Sequence, residues 1–177
     1  MSTFARRMVG AAVFDRRVYE EVEADSGATG QAVAVVLLTS VAGGIGLLGL
    51  GNSSPGALLR WILGALVAWM AWATLTYLIG TKLLPEPQTR ADVGELLRTI
   101  AFASAPGLFR ALGVIPVVGL TIYATASLWM LLTMIVAVRQ ALDYRSTGRA
   151  IGVCLVGWTL SLVIAVIIGT LFAPTVT

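Results

Sequence analysis

The sequence predicts an all-α integral membrane protein, a helical bundle with five transmembrane helices preceded by a short amphipathic interfacial helix. Three observations point there. Hydrophobic residues make up 58% of the 177-residue chain and charged residues only 12%, roughly half the charged share of a soluble domain, so polar side chains are too few to coat a soluble surface. The apolar residues come in long runs, near the roughly 20 residues that a helix needs to cross hydrocarbon. The charges are bunched between those runs. The expected organisation is a cytoplasmic amphipathic segment over residues 1–28 and a five-span domain over 29–177, with spans at about 30–51, 57–80, 94–115, 118–140 and 149–172.

The apolar stretch 8–14 is too short for a signal-peptide core, lacks a small-residue cleavage site and is followed at once by Asp15, Arg16 and Arg17. It belongs instead to an amphipathic helix. Phe14, Val18 and Val22 recur every fourth residue while Arg16, Arg17, Glu20, Glu21 and Glu23 take the other faces, the pattern of a helix lying in the headgroup layer. Asp25 is an N-cap for the next helix. The first apolar run, 31–51, ends in an uncharged turn at 51–56, and the second fills 57–80; so short a turn makes the two antiparallel neighbours. Residues 81–94 are polar and contain Pro85 and Pro87, and Asp92 with Glu95 has capping-box spacing. The third span starts there and is the weakest. Arg98 and Arg110 lie twelve residues apart, about 18 Å at α-helical rise against roughly 30 Å of hydrocarbon, so both arginines must snorkel outward. Whether this span is straight, kinked at Pro106 or partly re-entrant is left open by the sequence; a kink would leave a carbonyl for a neighbouring helix to satisfy. A tight turn at 113–118 around Pro116 leads to the fourth span, and a charged connection at 140–148 leads to the fifth. Ser146 or Thr147 caps that last helix and Pro174 closes it.

Charge location gives an independent orientation. Placing the amino terminus and the connections 81–98 and 139–149 on one side gathers ten of the twelve basic residues and all nine acids there, leaving Arg60 and Arg110 on the other. By the positive-inside rule that side is cytoplasmic and the carboxyl terminus lies outside.

Composition also narrows the chemistry. The sequence has no histidine and a single cysteine, Cys154, in an apolar run; the commonest metal ligand and general base are absent, and no internal disulfide can form. No acid, lysine or histidine falls at the expected bilayer centre, where proton-coupled transport and intramembrane hydrolysis need ionisable groups. The dispersed arginines do not make a nucleic-acid surface. No catalytic residue, cofactor or metal is expected. Buried hydroxyls such as Thr39, Ser40, Thr133 and Thr159 bond ordinarily to their own helix carbonyls, though they could line a polar path. Trp61 suits an interfacial anchor, and Trp69, Trp72 and Trp129 suit packing.

Two groups of residues are candidates for function. Ala42, Gly43, Gly46 and Gly49 crowd the outer half of the first span and form a helix-packing face, with a dimer face or a substrate path as the alternative. Ala101, Ala103, Ser104, Ala105 and Gly107 make a second small-residue run. At the cytoplasmic ends stand Asp92, Glu95, Arg98, Arg139, Gln140, Asp143 and Arg149. Arg139 and Asp143 are one turn apart and can pair. The plain account is that these groups pin helix ends together; the sharper one is a cytoplasmic docking surface or a seat for a lipid phosphate.

Three stretches carry a family resemblance: YEEVEADSGATGQA from Tyr19 to Ala32, then GELLRTIAFASAPGLFRALGVIP, then AVRQALDYRSTGRAI. Their order and their positions against the apolar runs resemble bacterial members of the Yip family, the Ypt/Rab-interacting membrane proteins. The resemblance implies a five-span bundle with a cytoplasmic amino terminus. Eukaryotic relatives act in Golgi and endoplasmic-reticulum vesicle traffic through Rab GTPases and one another; this chain departs from them in its short amino-terminal part and in lacking their aspartate, leucine, tyrosine, glycine, proline motif. The resulting expectation is a non-enzymatic protein of the bacterial inner (plasma) membrane, a scaffold or accessory subunit that organises lipid or a larger complex, with membrane lipid and a membrane protein or a second copy as partners and no nucleic acid. The alternative is a transporter or permeability path for lipid or a small neutral solute.

Overall fold

The structure, a computed structural model, describes residues 3–49 and 55–171. Among them the chain is all-helical: α1 (Thr3–Ala12), α2 (Arg16–Ala24), α3 (Thr29–Gly49), α4 (Pro55–Leu78), α5 (Val93–Ala103), α6 (Gly119–Ala141) and α7 (Thr147–Leu171), with short 3₁₀ and π segments between them. Three helical stretches, Ser26–Leu48, Leu59–Leu83 and Gly119–Ala141, are long and apolar enough to cross a membrane. α7 runs for 25 residues, its side chains described over about its first two thirds. Of the expected turn at 51–56, residues 51–54 lie outside the described residues and Pro55 already begins α4; the close of the last span at 172, with Pro174 beyond it, also lies outside them.

The amino-terminal segment differs from the single amphipathic helix expected of it. It is a helical hairpin. Phe14 takes a left-handed conformation, φ 65°, and the Asp15 carboxylate accepts from the Arg17 N–H and starts α2 afresh. Phe14 therefore leaves the face shared by Val18 and Val22. Those two, with Ala11 and Tyr19, are buried against Val35, Phe102 and Ala137 of α3, α5 and α6, so protein, not lipid, covers most of the apolar face. The hairpin closes tightly: a Cβ on Gly10 would lie 2.5 Å from Val18 Cγ2, and the Tyr19 hydroxyl donates to the Ala11 carbonyl at 2.9 Å. The exposed apolar groups are Val9, Val13 and Phe14 at its tip.

The third expected span is the most altered element. α5 stops at Ala103, and Ala105–Val114 continues as a 3₁₀ helix with Pro106 in its first turn. In 3₁₀ geometry the N–H of residue 106 would bond the carbonyl of Ala103, and proline has none to give. Thr133 of α6 fills the gap, its hydroxyl 2.6 Å from the Ala103 oxygen. The 3₁₀ rise of about 2.0 Å per residue lengthens the run from Arg98 to Arg110 to about 21 Å, beyond the 18 Å of a continuous α-helix. This narrow segment packs between α3 and α6, where only small residues allow the approach. A Cβ on Gly46 would meet the Arg110 carbonyl oxygen at 2.1 Å, and one on Gly107 would meet Met130 Sδ at 2.6 Å.

A second buried cluster joins α4, α5, α6 and α7 through Ala73, Leu96, Val138, Leu142, Tyr144 and Val153. Here α4 ends in a π turn, Ile79–Leu83, and the Tyr144 hydroxyl reaches the Leu84 and Gly80 carbonyls at 2.7 and 2.9 Å. The widened turn leaves carbonyls that a neighbouring side chain can satisfy.

Candidate functional site

The charged end of the bundle separates into two groups that the sequence had run together. In one, Asp92 and Glu95 form the expected capping box, each side chain bonding the other's backbone N–H at 2.8 Å. Arg98, buried, donates to the carbonyls of Val22 and Glu23, tying α5 to α2. Gln140 bonds Glu20 at 3.0 Å. Glu23 lies nearby, its carboxyl pushed up to about 7 by burial and then by Asp143, Glu95 and Glu20, against the pull of Arg98. Arg7 anchors the same region from the amino-terminal hairpin, bonding Glu21 at 2.9 Å, Asp25 at 2.6 Å and Gln31 at 3.1 Å. Arg6 and then Arg7 hold the Glu21 carboxyl below the ordinary carboxylate range, and Arg7 does so for Asp25.

The other group lies around Glu86. Its carboxylate accepts from the backbone N–H groups of Arg145 and Ser146 at 3.0 and 3.3 Å and faces Arg149 at 3.5 Å; the Arg145 N–H leads in holding it below the ordinary range. Arg149 also bonds the Pro85 carbonyl at 2.5 Å. Arg139 does not pair with Asp143. The left-handed Asp143, φ 53°, turns the chain back so that Arg139 bonds the carbonyls of Tyr144 and Arg145 at 3.2 and 3.1 Å, closing its own helix end. Of the seven rim residues expected together, most thus bond neighbouring elements or their own helix ends. Glu86, Tyr144 and the amino-terminal arginines were not singled out in the sequence, because their partners lie about sixty residues away, as with Arg145 and Leu84, or across the hairpin.

Away from this rim lies a cleft of about 500 Å³ between α3, α4, the α5–3₁₀ arm and α6. Its inner walls are Trp69, Trp72, Ile100 and Met134, and its α4 side is lined by Gly64, Ala65 and Ala68. Thr39, Ser40 and Ser104 also reach it, but their hydroxyls bond carbonyls of their own helices, which leaves the walls mainly apolar. Trp61, expected at an interface, lines the cleft and donates to the Ser40 carbonyl at 3.0 Å. Trp69 donates to the Leu97 carbonyl at 3.0 Å. Trp72 stacks on Trp158 with centroids 6.2 Å apart, and its buried Nε1 has no acceptor among the described residues.

Arg60 and Arg110 line the same cleft. Arg110 lies 5.3 Å from the centre of the Tyr123 ring and against Gly43, whose missing Cβ would sit 3.0 Å from Nη2. Its buried Nε has no acceptor among the described residues. Of the expected packing face, Gly43 and Gly46 thus receive Arg110 and its backbone and Ala42 is buried; the surroundings of Gly49 lie outside the described residues. The sequence did hold a signal for this site. No acid occurs between Asp25 and Glu86 or between Glu95 and Asp143, so neither arginine has a carboxylate near it in sequence.

Comparison with protein families, curated proteins and solved structures finds no match for the chain. The Yip resemblance therefore rests on the quoted motifs alone.

Proposed function

We propose that the chain is a non-enzymatic protein of a bacterial plasma membrane, of Yip type, that crosses the bilayer five times and acts by contact, as a scaffold or accessory subunit that holds and organises membrane lipid. The observation that carries this is the apolar cleft, large enough for part of an acyl chain and walled by helices long and apolar enough to sit in lipid. Support for five crossings comes from the stretched third arm, whose about 21 Å between Arg98 and Arg110 comes closer than the about 18 Å of a continuous α-helix to the roughly 30 Å of hydrocarbon. The charge pattern favours a cytoplasmic amino terminus and an outer carboxyl terminus.

A role by contact also agrees with the chemistry present. Most of the charged rim side chains named above are engaged in holding helix ends together. The test is purification in mild detergent followed by lipid extraction. Recovery of the protein with lipid in stoichiometric amount is expected; a lipid-free monomer would contradict the proposal. Flux of a neutral solute or lipid scrambling by the purified protein in liposomes would instead favour a transport path through the same cleft.

A further inference from the structure

We infer that the cleft is a site for one phosphate-bearing lipid of the outer leaflet, with the phosphate on Arg110 and Arg60 and an acyl chain running along α4 towards Trp72. The inference rests on the membrane placement proposed above and adds the ligand's chemistry. A guanidinium with a buried, unpartnered Nε is costly unless an anion reaches it. The chain supplies no acid near it in sequence, so the counter-charge must come from a distant element or from outside the molecule. Arginine's planar fork bonds phosphate through two N–H groups at once, which a carboxyl-free, apolar wall makes the favoured partner. Tyr123 and Gly43 fix the guanidinium from two sides, the charge has no acid paired with it among the described residues, and the side chain, half-buried, lines the cleft. Arg60 is exposed at the same cleft and brings a second positive charge.

The rest of the cleft fits the remainder of such a molecule. Arg60 and Trp72 are twelve residues apart on α4, about 18 Å, so the apolar lining reaches well over half-way across the hydrocarbon. Gly64 faces open space, with nothing within 4 Å of where its Cβ would stand. That absence of a side chain keeps the middle of the cleft clear. A free phosphate ion would use the arginines and leave this apolar length without purpose, which is why a lipid is the committed occupant.

The experiment uses the full chain reconstituted in nanodiscs of phosphatidylcholine containing phosphatidylglycerol, released into detergent and weighed by native mass spectrometry. Wild type should retain one phosphatidylglycerol with at least about a tenfold preference, the scale of one charge-assisted contact. Arg110→Gln and Arg60→Gln should each lower that preference severalfold. Gly64→Leu, which has room for its side chain, should fold normally by thermal melting and lose the bound lipid of either kind. Arg60 is exposed and Gly64 uncrowded, so these two variants keep the test decisive even where Arg110→Gln fails to fold. Retention of phosphatidylglycerol by Gly64→Leu at the wild-type level overturns the inference, as does stabilisation of the lipid-free protein by inorganic phosphate equal to that by the lipid. Lipid bound with no headgroup preference also overturns it while leaving the lipid-holding role intact; no lipid bound at all sinks both.

Discussion

Glu23 stands where α2, α5 and the end of α6 bring their charges together. Its carboxyl titrates at about 7 against an ordinary 4.5, with burial the first cause and Asp143, Glu95 and Glu20 the next. The folded protein therefore keeps a proton that the unfolded chain releases above about pH 4.5. Stability from this group is full below that pH and is lost as pH rises through about 7. The melting temperature in detergent should fall between about pH 5 and pH 8, and Glu23→Gln should flatten the fall; an unchanged slope in the variant would assign it elsewhere. None of this was legible in the sequence. Hydrophobic period puts Glu23 on the polar face of a helix and says nothing of which acids that face meets after the hairpin folds back. The cleft arginines were half-legible: their isolation from every acid can be read off the chain, but their convergence cannot.

The elements divide by what defined them. Apolar helices such as α4 and α6 announce themselves because hydrocarbon demands a long uninterrupted run, and the Asp92–Glu95 capping box because its spacing is its geometry. The amino-terminal hairpin did not. Phe14, Val18 and Val22 fit one continuous helix as well as a broken one, and the break depends on Asp15 acting as a cap and Phe14 accepting a left-handed turn. The 3₁₀ arm was half-anticipated: Pro106 marked trouble, with a straight, kinked or re-entrant helix all open, and the response is a change of helix type with Thr133 completing the bonding. Thr133 is fully buried, so Thr133→Val, similar in volume, leaves the Ala103 carbonyl unsatisfied at a cost of about 1–3 kcal/mol. A drop of several degrees in melting temperature is expected. A melting temperature equal to wild type would mean that the carbonyl finds another donor.

At the scale of the molecule, the sequence yields the solvent of the protein more readily than its task. Length, apolarity and bunched charge specify helices long and apolar enough for lipid, whereas the cleft is assembled from side chains spread from Val36 to Met134 and exists only once four elements meet. The charged rim illustrates the same limit. Arg139 and Asp143 are one turn apart and looked like a pair, yet the left-handed turn at Asp143 sends Arg139 to carbonyls instead. In the proposed placement one axis orders these features: most acids and bases towards one end, Arg60 and Arg110 towards the other, and a cleft between.

That ordering makes topology the measurement that matters most. Cys154 is buried, so single cysteines placed at each end of a Cys154→Ser chain report accessibility to a membrane-impermeant thiol reagent. In intact cells the carboxyl-terminal cysteine should label and the amino-terminal one should stay protected until the membrane is opened. Labelling of both ends from the same side would mean an even number of crossings and would contradict the account.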